Sequence, residues 1–289
     1  MIGLHKEVYG RIRRGTNFYI KPFALLLVNP SNLFKASKIF SISRSNRRFL
    51  STLPRSGTHY ITCLLTSALD IANGGTGEYN FINNKWVHNI SLVYPATVHN
   101  LVEAVKLNRP ICKDLFMFSH HPIQKTNMFD INSMKVVFTV RSIPEQLESW
   151  LLHTSQFKGF SENEFIERGY VEKTIDYFNY WGDFISDSKK VPGRDYVCIK
   201  YEEMVSEPME NLLRIVNLWD LHLDKSSLEK AIDLCSREKM KAKIQTDLVG
   251  SNMRLTVREN RGKLFSEENV SYIKRCIDEN LKYDFGYSY

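Results

Sequence analysis

Residues 47–60 read RRFLSTLPRSGTHY, a short apolar run that leads through a turn into a helix-forming stretch. Gly57 lets the backbone of the turn approach a ligand closely, because glycine has no Cβ. The amides of Ser56 to Tyr60 are expected to face an anion, since a helix N-terminus favours negative charge. Arg55 adds a fixed positive charge. The segment lacks the first glycine and the lysine of a Walker A loop, so it predicts a phosphate site but argues against a nucleoside triphosphatase.

A second segment, residues 135–150, reads KVVFTVRSIPEQLESW. Its β-branched run Val136 to Val140 is typical of a buried parallel strand. Arg141 stands at the carboxyl end of that strand, and Ser142 is a suitable N-cap for the helix that follows. Ser149 falls on the second turn of this helix and is expected to face the same ligand as Arg141. The segment therefore predicts a second anion-binding site, at the end of a different strand.

Together, the two segments resemble the sulfotransferase family that uses 3′-phosphoadenosine-5′-phosphosulfate (PAPS). The family's first signature, P-[KR]-[ST]-G-[ST]-x-[WY], matches Pro54 to Tyr60. Its second, an arginine with a serine eight residues later, matches Arg141 and Ser149. The resemblance implies that Arg141 and Ser149 hold the 3′-phosphate. It also implies that the 5′-phosphosulfate is bound by Arg55, Ser56, Gly57, Thr58, His59 and Tyr60, with Arg55 also serving catalysis.

Two further matches follow in family order, so that the resemblance extends over residues 47–265. The family places its catalytic histidine in K-T-H-x-P, and the stretch FSHHP at 118–122 puts His120 at that place. The resemblance implies that His120 is the base; His121 and the carboxylate of Glu78 are the alternatives. Tyr201, in KYEEM, matches a tyrosine near the adenine, although a core position explains it equally well.

The chain departs from the family pattern at three places. Arg55 replaces the lysine usual in the cytosolic enzymes, and Phe118 replaces the lysine two residues before the histidine. The closing motif R-K-G-x-x-G-D-W is reduced to residues 258–263, RENRGK. Either Arg258 or Arg261 is expected to join the 3′-phosphate site, together with Gly262. A dimerisation signature is not visible after this motif, and the sequence predicts no oligomeric state.

Strands that alternate with helices indicate an α/β fold with a central parallel sheet and a ligand at its carboxyl ends. The resemblance implies a P-loop-like, three-layer sulfotransferase fold in which helices flank the sheet. We expect a basic N-terminal arm over residues 1–46 and a single domain over residues 47–289.

Positive charge is confined to the N-terminal arm. Of the net charge of +7, residues 1–49 contribute +9, from ten Lys or Arg and one Glu, so the remainder is slightly acidic. This distribution argues against nucleic acid as a partner. It leaves two interpretations of the arm open, a solvated basic face or peripheral contact with an anionic membrane. The apolar run Tyr19 to Val28 is shorter than the roughly 20 residues that span a bilayer. Five cysteines without a C-x-x-C pair are typical of reduced thiols, and we expect a cytoplasmic protein.

The resemblance implies transfer of a sulfuryl group from PAPS to a small-molecule or glycan acceptor, through a hydroxyl or amine. No His or Cys spacing suggests a metal site. Two other functions remain open. A phosphoryl transferase is disfavoured by the missing lysine loop and by the lack of an evident magnesium-binding acid. A non-catalytic nucleotide- or glycan-binding homologue is kept open by Phe118 and the shortened closing motif.

Overall fold

A computed structural model of the chain describes residues 30–78, 87–89, 112–120, 133–188, 195–236, 238–240 and 264–289. The helices and strands named below are, in chain order, α1 (Pro30–Asn46), β1 (Arg48–Thr52), α2 (Thr58–Ala72), β2 (Val87–Asn89), β3 (Phe116–Ser119), β4 (Lys135–Val140), α3 (Ile143–Lys158), α4 (Glu162–Glu167), α5 (Tyr170–Ser188), β5 (Tyr196–Lys200), α6 (Tyr201–Ser206), α7 (Pro208–Leu218), α8 (Lys225–Leu234) and α9 (Glu267–Asn280).

The strands form one sheet in the order β2-β3-β1-β4-β5. β2 and β3 run parallel, with Val87 opposite Phe116. Apart from the first residue of β1 and of β4, every residue of β1, β3 and β4 is buried, as expected where helices cover both faces of a parallel sheet. The predicted fold class, a central parallel sheet flanked by helices, is confirmed.

The described residues fall into two compact units. The first contains residues 30–50, 87–89, 112–120 and 133–136. In it, α1 buries Ala36 and Ile39. The Asn46 side chain donates to the carbonyls of Lys113 (2.5 Å) and Leu115 (2.8 Å), which ties the end of α1 to the turn before β3. The sequence interpretation assigned no helix within the N-terminal arm, so α1 is a structural finding.

The second unit contains the described residues of 51–78 and 137–289. Its core includes Phe138 of β4 stacked on Trp181 of α5, with ring centroids 4.6 Å apart, and both side chains are fully buried. The Tyr177 hydroxyl lies within hydrogen-bonding distance of the carbonyls of Ser51 (3.2 Å) and Thr139 (3.1 Å). Burial raises the pKa of Tyr177, so this hydroxyl stays protonated. The helical spacing of Tyr177, Tyr180 and Trp181 in the sequence favours core packing over a ligand-stacking role. Tyr177 and Trp181 do pack in the core, and Tyr177 connects β1 to β4.

The helix-forming runs of the sequence predict one helix over Thr58 to Ala72 and another over Glu162 to Ser186. The second prediction is wrong, because α4 and α5 are separate helices that meet at Gly169. Gly169 adopts φ 69°, a left-handed conformation that ends helices. By contrast, α2 has the predicted bounds, Thr58 to Ala72.

Replacing Glu162 by glutamine should lower the melting temperature at neutral pH. The Glu162 carboxylate accepts hydrogen bonds from the Ser266 amide (2.6 Å), the Ser266 hydroxyl (2.8 Å) and the Asn269 side chain (2.6 Å). Burial alone would raise its pKa, but these bonds outweigh burial and hold the pKa below its usual value. A lowered pKa adds stability that is present above the unfolded-state pKa and is lost as pH falls through the folded-state pKa.

Thermal unfolding of wild type and variant from neutral pH to about pH 3 tests this, because the difference should narrow as Glu162 is protonated. Glu167→Gln, an exposed position at the end of α4, is the matched control. A Glu162→Gln difference that stayed constant with pH would contradict the assignment.

Candidate active site

The loop between β1 and α2 is held in a strained shape. The Ser56 amide donates to the Leu53 carbonyl at 3.0 Å, closing a tight turn. Arg55 has φ 71° and Gly57 has φ 92°, so both adopt left-handed conformations. For a residue other than glycine this conformation costs about 1–3 kcal/mol and is concentrated at functional sites. The strain at Arg55 is therefore an independent sign that this loop is built for a ligand.

Two side-chain hydroxyl groups of the loop are buried and hold the loop to the neighbouring strands. The Ser56 hydroxyl bonds to the Leu53 carbonyl (2.7 Å) and pairs with the Thr139 hydroxyl (2.8 Å). The Thr58 hydroxyl pairs with that of Thr52 at 2.7 Å. Ser56 and Thr58 are only 1% and 5% exposed. Their side chains thus fix the loop to β1 and β4.

The Ser56 amide does not face an anion, contrary to the sequence expectation, because the turn uses it. The bonding ladder of α2 begins where the Ile61 amide donates to the Gly57 carbonyl at 3.0 Å. The amides that precede Ile61 in a helix have no carbonyl partner within that helix. The backbone grip that the sequence predicts is therefore reduced to the amides of residues 57–60.

The loop is joined directly to the second predicted anion segment. Arg55 Nε donates to the Ser149 hydroxyl at 3.1 Å, and Arg141 Nη1 donates to the Arg55 carbonyl at 3.1 Å. The Gln146 side chain, fully buried, donates to the Pro54 carbonyl at 3.1 Å. The structure therefore brings Arg55, Arg141 and Ser149 together. The sequence pairs Ser149 with Arg141, whereas the direct hydrogen bond of Ser149 in the structure is to Arg55.

Arg141 is held by three groups, and one of its nitrogen atoms has no partner among the described residues. Besides Arg55, its guanidinium contacts Glu145 at 3.1 Å and lies 4.7 Å from the ring centroid of Tyr201. Its Nε is buried and has no hydrogen-bond partner among the described residues. A buried donor on a cation without an acceptor is costly, so an anionic ligand at this position would be stabilising.

Tyr201 packs between Arg141 and the glycine of the loop. A Cβ built on Gly57 would lie 2.4 Å from Tyr201 Cδ2, so the ring rests directly on the loop backbone. The Tyr201 side chain is half-buried. It serves as packing for the loop and also forms part of the surface beside Arg141; contact with adenine stays a prediction.

Tyr60 and His59 lie on the first turn of α2, and both are partly buried. Burial raises the pKa of Tyr60 to about 12, with a further contribution from Cys235, so its hydroxyl stays protonated at neutral pH. The Cys63 and Cys235 sulfur atoms are 2.8 Å apart, and none of the five cysteines forms a disulfide.

The remaining predicted residues are only partly described. His120 directly follows β3, is partly buried, and meets the Phe118 ring edge-on at 4.9 Å. Glu78 is exposed after the turn that ends α2. The other predicted site residues, namely His121, Arg258, Arg261 and Gly262, lie outside the described residues.

Sequence reasoning missed three residues of this region. Glu145 has a recognisable signal, because an acid four residues after Arg141 on a helix is placed to pair with it. Gln146 and Glu202 have no such signal, since their partners are the distant residues Pro54, Ser142 and Tyr287.

Two absences apply to the described part of the chain. Over those residues, no three His, Cys, Asp or Glu side chains are grouped as a metal site would require. None of the helices seen there has the length and apolar composition needed to cross a membrane.

Comparisons with known proteins identify the family and the fold. The family model described as "Sulfotransferase domain" matches residues 45–285. Mouse sulfotransferase SULT7A1, solved as a complex with PAP, is similar over 87% of this chain and 92% of its own, at 16% identity and a TM-score of 0.55. Retinol dehydratase, solved with androsterone and the inactive cofactor PAP, is similar over 89% of this chain and 87% of its own, at 16% identity and a TM-score of 0.56.

A second structure of retinol dehydratase, with retinol and PAP, covers 90% of this chain and 88% of its own, at 17% identity and a TM-score of 0.55. At such identities the structural similarity supports the fold. None of the curated proteins matches the chain in a sequence comparison. The family model spans most of the chain and agrees with the motif order, so the protein belongs to the sulfotransferase family, the PAPS-dependent enzymes that its motifs resemble.

Proposed function

We propose that this protein transfers the sulfuryl group of PAPS to an acceptor hydroxyl or amine. The observation that carries the proposal is the direct bonding of the two anion segments, Arg55 to Ser149 and Arg141 to the Arg55 carbonyl, each at 3.1 Å. PAP is the bis-phosphorylated product that PAPS leaves behind, and three similar structures contain it. Two neighbouring arginines, each following a strand of the sheet, are suited to bind a nucleotide with phosphates at both its 5′ and 3′ positions.

At the 5′ end, the strained loop stabilises the negative charge that develops on the leaving group. The acceptor attacks sulfur in line with the bridging oxygen, the acceptor–sulfur bond forms, and the bridging bond breaks with its electron pair going to the 5′-phosphate. Arg55 and the amides of residues 57–60 are placed to stabilise that charge, as preorganised donors do in phosphoryl transfer. The buried hydroxyls of Ser56 and Thr58 keep this loop in shape.

At the 3′ end, Arg141 is the central group. Its buried Nε lacks an acceptor within the described residues, and the Tyr201 ring supports the guanidinium plane. We propose that the 3′-phosphate accepts from Arg141 and that Ser149 contributes through Arg55 or directly. By resemblance, Arg258 or Arg261 completes this end together with Gly262.

We further propose His120 as the base that takes the acceptor proton. Its support is its place in the family motif order and its position directly after β3. Glu78, exposed after the turn that ends α2, is the alternative, and His121 is a second one. Among acceptors, a sugar hydroxyl on a glycan or lipid agrees best with arginine at position 55 and with the basic N-terminal arm.

Partners, location and domain organisation remain proposals. In α1, Phe34 is 72% exposed and Leu33 is 47% exposed, and the neighbouring Lys38 is also exposed. Apolar and basic side chains in this arrangement suit peripheral contact with an anionic membrane surface. The proposed arm of residues 1–46, followed by a single domain of a cytoplasmic protein, is consistent with that contact.

PAP should raise the melting temperature clearly more than 5′-AMP, because only PAP offers the 3′-phosphate to Arg141. A charge-assisted hydrogen bond contributes about 1.5–3 kcal/mol, which corresponds to roughly 10- to 100-fold in affinity. Thermal unfolding and calorimetric titration measure the difference. Adenosine 2′,5′-bisphosphate is the control of equal charge and should bind less tightly than PAP. Equal shifts with PAP and 5′-AMP would contradict the two-ended site.

The non-catalytic alternative is favoured by one observation, the buried phenyl ring of Phe118 where the family has a lysine. Phe118 is only 3% exposed. Incubation with labelled PAPS and a panel of glycans, lipids and phenols separates the alternatives. Transfer of label supports the enzyme, whereas PAP binding without transfer to any acceptor would favour the binding homologue.

A further inference from the structure

The segment that follows α9 packs against β4 and α5. Phe285 is half-buried, and its ring lies 5.9 Å from the Phe138 ring and 5.5 Å from the Phe178 ring, edge-on in both cases. These are favourable geometries for aromatic pairs. The backbone of the segment is thereby anchored to β4 and α5, and Tyr287 follows two residues later.

Tyr287 begins a hydrogen-bonded connection that ends beside Arg141. The Tyr287 hydroxyl donates to Glu202 Oε2 at 2.6 Å. The other carboxylate oxygen of Glu202 accepts from the Ser142 amide at 3.3 Å. Ser142 directly follows Arg141. The hydrogen bonds therefore join Ser142, Glu202 and Tyr287, which are distant in sequence, at the end of β4 beside the proposed 3′-phosphate site.

The Tyr287 ring is held in place independently of its hydroxyl. Lys200 Nζ lies 4.9 Å from the ring centroid, within the range of a cation–π interaction. Burial, together with the hydrogen bond to Glu202, raises the pKa of Tyr287, so the hydroxyl stays protonated and donates at any physiological pH. The bond to Glu202 is therefore a charge-assisted donor–acceptor pair, among the stronger classes of hydrogen bond.

Glu202 connects the two structural elements that position Arg141, namely the Tyr201 ring and the backbone at Ser142. Its backbone follows Tyr201, whose ring supports the Arg141 guanidinium at 4.7 Å. Its side chain holds the Ser142 amide, directly after the Arg141 backbone. One residue thus sets both the stacking surface under Arg141 and the backbone position from which Arg141 extends. Without a second anchor, the carboxylate would be free to rotate away from the Ser142 amide.

We propose that Glu202, oriented by the Tyr287 hydroxyl, is a positioning residue that keeps Arg141 aligned on Tyr201 for the 3′-phosphate of the nucleotide. The inference rests on the proposed function. Neither residue touches the nucleotide; both act through Arg141. Misalignment of Arg141 therefore weakens recognition of the 3′-phosphate and leaves the contacts at the 5′ end unchanged.

Tyr287→Phe tests the proposal, because it removes only the hydroxyl and keeps the ring against Lys200. We expect PAP affinity to fall about tenfold, which is the effect of losing one charge-assisted hydrogen bond between a misaligned Arg141 and the 3′-phosphate, while affinity for 5′-AMP stays unchanged. The KM for PAPS should rise by a similar factor, and kcat at saturating PAPS should stay within about twofold of wild type. Tyr283→Phe is the matched control, since Tyr283 belongs to the same segment but bonds to Asp183 at 2.9 Å; its PAP affinity should equal that of wild type.

Glu202→Gln and Glu202→Ala provide a second test. Glutamine keeps an oxygen that can accept from Ser142, so it should retain more of the preference for PAP over 5′-AMP than alanine does. If wild type prefers PAP and Tyr287→Phe keeps the full preference, the positioning role is wrong and the proposed function stands. Equal loss of PAP and 5′-AMP affinity would also overturn it, because that result indicates general destabilisation. A wild-type protein without preference for PAP would instead contradict the proposed function itself.

Discussion

Gly57→Ala is expected to lower the free energy of unfolding by about 2–5 kcal/mol and to weaken nucleotide binding more than tenfold. Two costs add at this position. A left-handed conformation costs an alanine about 1–2 kcal/mol, and Gly57 has φ 92°. The added Cβ would also lie 2.4 Å from Tyr201 Cδ2, so ring or loop has to move, at an overpacking cost of about 1–3 kcal/mol. Moving the ring disturbs the surface on which Arg141 rests.

Gly74→Ala separates these two costs. Gly74 also has a left-handed conformation, φ 79°, but a Cβ there would meet nothing within 4 Å. It should therefore show the conformational cost alone and leave nucleotide binding intact. Chemical denaturation gives the unfolding free energies, and titration with PAP gives the affinities. Equal effects of the two alanines on stability and binding would show that Tyr201 does not press on the loop. The double variant Gly57→Ala with Tyr201→Ala should recover part of the lost stability.

His120→Ala is expected to lower the rate of sulfuryl transfer by about 10²–10⁴-fold, the usual contribution of a positioned general base. Binding of PAP should be almost unchanged, because the proposed phosphate contacts come from the loop after β1 and from Arg141. Single-turnover transfer from labelled PAPS measures the chemical step, and the PAP-induced shift in melting temperature measures binding. His222→Ala, at an exposed histidine between α7 and α8, is the control and should retain wild-type turnover.

The same experiment on Glu78 tests the alternative base. If Glu78→Ala lost transfer while His120→Ala kept near-normal turnover, the proton would be taken by the carboxylate. Parallel loss of transfer and PAP binding in His120→Ala would instead show that the histidine supports the fold or the nucleotide site, and the assignment of His120 as the base would be withdrawn.

The sequence predicted those parts of the molecule whose signals are local. The bounds of α2 follow from the turn at Gly57 and from an uninterrupted helix-forming run, and β4 follows from its β-branched residues. The proximity of Arg55 and Arg141 was also predictable, because the carboxyl ends of parallel strands open at one edge of a sheet. The family motifs gave the order in which these pieces occur, and the family assignment is confirmed.

Contacts between distant residues could not be predicted in this way. The bonds of Gln146 to Pro54 and of Tyr287 to Glu202 depend on how finished elements pack, and no spacing rule connects their partners. The Ser56 amide donates to the Leu53 carbonyl instead of facing an anion, and this bond depends on the dihedral angles of the loop. The split between α4 and α5 depends on Gly169 taking a left-handed conformation, although a glycine within a helical run is at least a warning of such a break.

The ion pair between Arg141 and Glu145 has a consequence for product release. The 3′-phosphate that we propose to bind Arg141 meets a guanidinium whose Nη2 is already paired with the Glu145 carboxylate. The net gain on binding is then smaller than it would be for a bare guanidinium, because part of the positive charge is already balanced. When the spent nucleotide departs, Glu145 still balances the charge, so no bare cation is left behind. A built-in counter-ion of this kind favours exchange of the nucleotide over tight retention, which matters because product release is rate-limiting in many enzymes.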